Sequence, residues 1–272
     1  MVDRVNEPGG ARVETLIVER SDGVVEVTMN RPERKNAVNG LMLQELLAIF
    51  EEVERSRDDR VMVLTGAGGA FCSGADLGDP NGPASDRSIP GVVRMRRLGD
   101  VALALHRLTK PTIAKVDGAA VGAGFSLALG CDLVVASDRA RLSMIFSRRG
   151  LSLDNGASWL LPRLVGLARA KEVAFFADML DAPTALSLGL VNRVVPVDEL
   201  DGLVAQWARR LADGPPLALS MTKTLLNASS SLSMADALED EARCQAVNFA
   251  SEDTAEAMAA FVAKREPRFT GR

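Results

Sequence analysis

The sequence predicts an α/β protein that ends in a helical segment, and three observations carry that prediction. β-rich apolar runs alternate with segments of helical period between residues 14 and 136. Two Gly-rich loops each follow a buried strand directly. From about Asp198 onward the strand signals stop and only helix-period segments follow. The chain divides on this basis into a core over residues 1–197 and a helical region over residues 198–272.

Glu14–Val18 and Val24–Met29 are strand-like runs joined by Ser21-Asp22-Gly23, a hairpin signal. Leu43, Leu46, Leu47, Phe50 and Val53 then recur at helical spacing behind Asn39, a good N-cap, with charges from Glu51 to Asp59 expected on the other face. Val61–Thr65 reads as a buried strand, followed by the Gly-rich loop Gly66–Gly78. Leu77–Asp100 carries Gly, Pro, Ser and Asp early and Arg94, Arg96 and Arg97 late, which suits a mobile loop or lid running into a helix. The strand, loop and helix pattern repeats at Thr112–Val116, Gly118–Gly124 and Phe125–Gly130, and Asp132–Ala136 returns to a strand. Leu200–Leu211, Leu217–Leu226, Met234–Phe249 and Thr254–Lys264 complete the chain as helices. Ser251 is expected to cap the last of them, with Glu252 and Asp253 in its first turn.

A chain of 272 residues with 47% apolar content can fill a sizeable interior. Its net charge of −4 gives no general attraction to nucleic acid or membrane surfaces, so an anionic ligand needs locally placed Lys or Arg. Cys72, Cys131 and Cys244 lie far apart and His106 is the sole histidine, which argues against a disulfide framework or a metal site. The first residues, MVDRVNEPGGARVE, include acids and no apolar stretch, so they do not read as a secretory signal and a cytoplasmic setting is expected. No uncharged apolar run is long enough to span a membrane.

The stretch FSRRGLSLDNGASWLLP, Phe146 to Pro162, sets one carboxylate, Asp154, in a mainly uncharged turn before an apolar helix. Asp154 is either the N-cap of a helix starting near Asn155 or a catalytic group. Gly122-Ala123-Gly124 and Gly66-Ala67-Gly68 each begin a dinucleotide fingerprint, but Leu127 and Phe71 stand at the third glycine position. Neither loop has the Lys-Ser/Thr ending of a P-loop. Gly124-Phe125-Ser126-Leu127-Ala128 approaches a nucleophile elbow, yet His106 precedes the serine, so the triad order is wrong and His106 reads as a structural helix residue. The two loops VMVLTGAGGAFCSGAD and PTIAKVDGAAVGAGFSLALGCD put bare backbone near strand ends. Such loops serve either an oxyanion hole or tight packing of small residues.

Several stretches together resemble the enoyl-CoA hydratase/isomerase, or crotonase, family: NRPERKNAVNG, LTGAGGAFCSGADL, LTKPTIAKVDGAAVGAGFSLALGCDLVVAS, FSRRGLSLDNGASWLLPRLVG, LGLVNRVVP and FVAKREPRFTG. The resemblance runs from about Val24 to Arg272. It implies a crotonase-like spiral of ββα units with a C-terminal helical segment, assembled as a trimer or a dimer of trimers, residues 198–272 serving oligomerisation. The implied ligand is an acyl-CoA thioester, coenzyme A being part of the substrate and no cofactor being held permanently. The N–H groups of Ala75 and Ala123 would form the oxyanion hole. Arg34, Lys35 and Ala37 would lie near the CoA phosphates and Asp76 near the adenine, with Phe261 and Lys264 reaching a neighbouring subunit's CoA.

The chain also departs from that pattern. Family hydratases use two glutamates, and this sequence has Ser126 and Phe146 at those positions, neither of which does acid/base work at neutral pH. Asp154 instead matches the acid of phenylacetate-pathway ring-epoxide isomerases and related enoyl-CoA isomerases. In that chemistry one carboxylate removes the proton at C2 and returns it at C4, and Leu151, Leu153 and Trp159 are expected to raise its pKa by desolvation. The related 4-chlorobenzoyl-CoA dehalogenases also use a loop histidine, and none lies between Ala75 and Asp100. Double-bond isomerisation through Asp154 is therefore the expected activity. Hydration of a 2-enoyl-CoA is the enzymatic alternative, and a catalytically weak acyl-CoA-binding protein is the alternative of another class.

Overall fold

The computed structural model describes residues 13–79 and 90–272. The expected absence of a signal over the first residues, and most of the expected loop before residue 90, therefore fall outside the described residues. β1 (Leu16–Ser21) and β2 (Val24–Met29) form the hairpin, turning on Asp22 and Gly23, both at positive φ (51° and 80°) as a two-residue turn requires. A 3-10 turn, Pro32–Arg34, leads to α1 (Gly40–Arg55), whose Asn39 cap accepts from the Met42 N–H at 2.9 Å. That cap contributes about 1 kcal/mol. The buried stripe of α1 is Met42, Leu46, Ile49, Phe50 and Val53, with Leu43 and Leu47 at its margin.

Two acids on this stretch are buried, and one of them, Asp59, was expected on the solvated face. Glu45 is buried and accepts from the backbone that leads into β1, at the Glu14 N–H (2.7 Å) and the Thr15 N–H (3.0 Å). Asp59 is buried beside Arg20 at 3.3 Å and is not on a solvated face. Both offset their desolvation with specific partners, which composition alone does not reveal.

β3 (Val61–Gly66) follows, then α2 (Gly91–Arg107), β4 (Thr112–Val116), β5 (Ala119–Val121), α3 (Ala123–Gly130), β6 (Leu133–Ser137) and β7 (Arg141–Ser143). After a 3-10 turn at Ile145–Arg149 come α4 (Ala157–Phe176), β8 (Leu180–Asp181), α5 (Ala182–Ser187) and β9 (Arg193–Val195). The C-terminal helices are α6 (Val197–Ala212), α7 (Pro216–Ser229), α8 (Met234–Phe249) and α9 (Glu252–Ala263), the last capped by Ser251 as expected. α4 is broken at Gly166, whose φ of 74° and ψ of 160° are not helical.

The main sheet has the order β1-β2-β3-β4-β6-β9, antiparallel at β1/β2 and parallel thereafter, and a small second sheet has the order β5-β7-β8. Helices cover both faces of the main sheet, so its central strands are mostly apolar, and the one charged side chain in β4, Lys115, is paired with Glu26 (3.0 Å) and Asp201 (2.9 Å). In β3, Met62 and Leu64 join the large core with α1, while Val61 and Val63 face α6. Ile113 and Val135 complete the second cluster with Leu200, Val204, Ala208 and Ala212 of α6. α7 and α8 bury no residue fully within the chain. Lys223 ties α7 down, its Nζ donating to Asp132 (2.7 Å) and to the Lys110 carbonyl (3.0 Å). No helix among the described residues is long and apolar enough to cross a membrane.

Candidate active site

Two Gly-rich loops meet at the ends of β3 and β4. Cys72 bridges Ala120, with the Cys72 N–H donating to Ala119 O (2.8 Å) and the Val121 N–H to Cys72 O (2.9 Å). β5, which the sequence leaves inside a loop, exists because of this long-range pairing. Gly74 sits at φ 103°, and a Cβ there would lie 2.9 Å from Val121 O and 3.9 Å from the Ala123 nitrogen. The backbone just before Ala75 is thereby placed against the first residue of α3. Neither the Ala75 nor the Ala123 N–H donates to a protein group among the described residues. Two neighbouring free N–H groups, one of them at a helix N-terminus, can stabilise a developing oxyanion.

A third strand of backbone joins this pair. The Val38 N–H donates to Gly74 O (2.8 Å) and the Asp76 N–H to Val38 O (2.8 Å), while the Ser73 N–H donates to Lys35 O (3.0 Å). Arg34, Lys35, Ala37, Asp76 and Ala75 are thus neighbours. Arg34 and Lys35 are exposed and able to meet an anion, and Ala37 is buried. Asp76 pairs with Arg31 at 2.8 Å, and this hydrogen bond holds its carboxyl below the ordinary range. Arg31 was not singled out by the sequence, and nor was Asn36, whose buried amide staples the loop to Ala67 O (2.8 Å) and Ala70 O (2.7 Å). Phe261 is 83% exposed near the end of α9 and Lys264 is the C-cap of that helix. No hydrogen bond or ion pair links either to the loop pair among the described residues.

Ser126 is buried and its Oγ donates to Gly122 O at 3.2 Å, a bond to the residue that precedes its own helix. Phe146 is also buried, and a Cβ on Gly122 would lie 3.9 Å from its ring. From Phe146 the chain continues through Leu151, whose N–H donates to Phe146 O at 3.0 Å, to the Asp154 turn. α4 begins after that turn and packs against α3, the helix that starts at Ala123.

The capping expectation for Asp154 fails. The helix starts at Ala157, its N-cap is Gly156 at φ 79°, and no side chain caps it. Asp154 contributes its main-chain carbonyl to the Ala157 N–H (3.0 Å), so its carboxylate is left for another use. One side-chain bond reaches that carboxylate, from Asn155 Nδ2 at 2.9 Å. Burial holds the Asp154 carboxyl above the usual carboxylate range, with the Asn155 amide opposing the shift. Leu153 packs on the core beside it, whereas Leu151 and Trp159 are partly open, at 54% and 37% exposure. His106, on α2, packs edge-on against Trp159 with ring centroids 4.9 Å apart. The described residues contain no cluster of three or more His, Cys, Asp or Glu able to hold a metal ion.

The enoyl-CoA hydratase/isomerase pattern matches residues 19–272. The chain belongs to that family. It is an acyl-CoA enzyme of the crotonase fold, a family that acts on CoA thioesters, generally without a bound cofactor. Among named enoyl-CoA hydratase/isomerase relatives, the 1,2-epoxyphenylacetyl-CoA isomerase of Escherichia coli (strain K12) is 39% identical, over 96% of this chain and 100% of its own. The short-chain-enoyl-CoA hydratase of Clostridium acetobutylicum is 33% identical, over 92% of this chain and 95% of its own. The crystal structure of an enoyl-CoA hydratase/isomerase from Cupriavidus metallidurans CH34 superposes with a TM-score of 0.88 at 37% identity, over 96% of this chain and 98% of that one. Isomerases and hydratases both stand among these relatives.

Proposed function

We propose that this protein shifts a double bond in an unsaturated acyl-CoA, with Asp154 as the sole proton carrier. The thioester carbonyl oxygen would accept from the N–H groups of Ala75 and Ala123, which makes the C2 proton labile. Asp154 removes that proton, the oxyanion donors hold the dienolate, and the protonated Asp154 returns a proton at C4. Atoms balance with no water and no second acid. The observation that carries this reading is the Asp154 carboxyl itself: it is partly buried, it caps nothing, and burial pushes its pKa upward towards that of an effective base. Ser126 and Phe146, at the positions where family hydratases carry glutamates, leave no rival acid there.

Arg34, Lys35 and Ala37 are proposed to lie along the CoA phosphates and Asp76 near the adenine. Phe261 and Lys264 are proposed to serve the site of an adjoining subunit in a trimer or dimer of trimers, with α7 to α9 as the assembly surface. The exposed Phe249, Met234, Leu226 and Phe261 on those helices support this.

Hydration of 2-enoyl-CoA is the second reading, favoured by the likeness to the Clostridium hydratase. Assays with 3-enoyl-CoA and 2-enoyl-CoA separate the two. Isomerisation that disappears in Asp154→Asn supports the proposal. Hydration that survives Asp154→Asn and is lost in Ser126→Ala overturns it.

A further inference from the structure

Two asparagines are buried at positive φ, and their side chains are partnered in opposite ways. Asn36 (φ 55°) has its amide satisfied by the scaffold: Oδ1 accepts from the Arg31 N–H at 2.9 Å and Nδ2 donates to two carbonyls. Asn155 (φ 49°, 7% exposed) makes one side-chain bond, from Nδ2 to Asp154 Oδ1, and its own Oδ1 is buried with no partner among the described residues. A left-handed backbone at a non-glycine residue and an orphaned buried oxygen both cost stability. At Asn155 both fall on the residue that follows the proposed base, and its one bond goes to that base.

We infer that Asn155 is a positioning residue for the reaction, fixing the Asp154 carboxylate through Oδ1 so that Oδ2 is the atom that carries the proton. This rests on the reading of Asp154 as the base. The tie restrains rotation of a carboxylate that no other side chain holds among the described residues, and alignment of a base is worth much of a proton-transfer rate. It also stabilises the ionised form, against burial, which destabilises it. The charged or titratable groups on the neighbouring elements include Arg96, Arg97, Asp100, His106 and Arg107 on α2, Arg148 and Arg149 on the 3-10 turn and Arg163 on α4, while α3 carries none. None of them contributes to the Asp154 shift.

The test measures isomerisation of 3-enoyl-CoA and exchange of the acyl C2 proton with D2O in Asn155→Gly, which keeps the left-handed backbone and removes the amide. The expected result is a fall in kcat and in exchange of about 10–100-fold with little change in KM. The acid limb of the rate profile should move to higher pH, because a bond that favoured the carboxylate is gone. In an Asp154→Asn background the same substitution should have no further effect. Should Asn155→Gly fail to fold, Asn155→Asp keeps the shape, loses the donor and adds a negative charge, and should raise the acid limb further. An unchanged kcat and pH profile, or an equal loss in both backgrounds, overturns the inference. Full exchange in Asp154→Asn alone overturns the assignment of the base itself, and with it this role for Asn155.

Discussion

Gly124 rests directly on Cys72: a Cβ at Gly124 would lie 2.3 Å from the Cys72 carbonyl oxygen and 2.6 Å from its Cβ. The first of these contacts is to backbone that is itself paired with β5, so it cannot swing away. Burial pushes the Cys72 thiol up to about 12, which makes it a packing group and not a nucleophile. The two loops that present Ala75 and Ala123 are held in register by this contact.

Gly124→Ala is therefore expected to force the loops apart, costing about 1–3 kcal/mol as overpacking does. Denaturant unfolding checks the loss. Because the main obstacle is the Cys72 carbonyl, adding Cys72→Ala should not restore stability or activity, and a full rescue would contradict the geometry.

Asp154→Asn should remove isomerisation, by about 10²–10⁴-fold as expected for loss of a general base. The same change should leave the fold as stable or more stable at neutral pH. A carboxyl raised by burial binds its proton more tightly folded than unfolded, so the native protein loses stability as pH rises from the ordinary value of 3.8 through the raised folded value. The gain in Asp154→Asn over the parent should then vanish below that window. Thermal unfolding at neutral and acid pH reads both halves.

Much of the architecture was legible because it is local. The Asp22-Gly23 hairpin, the Asn39 cap and the run Met234–Phe249 each carry their own signal in neighbouring residues. The small sheet was not legible, since β5, β7 and β8 have two or three residues each and exist through partners far along the chain. Within the site, Asp154 stood out as an isolated acid, but its freedom from capping depended on where the helix began. Asn155 was hidden in an ordinary turn motif, and its significance comes from burial, which no local pattern encodes.

Arg31→Ala should leave Asp76 without its ion partner in a setting where the two side chains are only 15% and 11% exposed. Loss of this charge-assisted bond is expected to cost on the order of 1–3 kcal/mol. The Asp76 carboxyl lies below its ordinary 3.8, chiefly through Arg31, so the stabilisation is present above that value and is lost as pH falls through the folded one. The deficit of Arg31→Ala should be full at pH 7 and shrink in acid, as paired denaturation curves would register.

Lys223→Ala should loosen α7 from the core by stranding Asp132. The lysine side chain is 9% exposed, and breaking a buried pair costs about 3 kcal/mol or more. Asp132 is 26% exposed and also accepts from the Thr112 N–H and hydroxyl, which tempers the loss. Faster limited proteolysis within α7 to α9, with the sheet core resistant, is the expected signature.

The alternation in β3 has a bearing on redesign. Because Met62 and Leu64 serve the cluster shared with α1 while Val61 and Val63 serve the one shared with α6, the strand is a party wall between two rooms. Volume changes made at Val204 or Ala208 should combine additively with changes at Met42 or Phe50 on the far side. A single-residue deletion in β3 would swap the occupants of both rooms at once. The α6 side thus offers a place to tune thermal robustness without reshaping the wall nearest the chemistry.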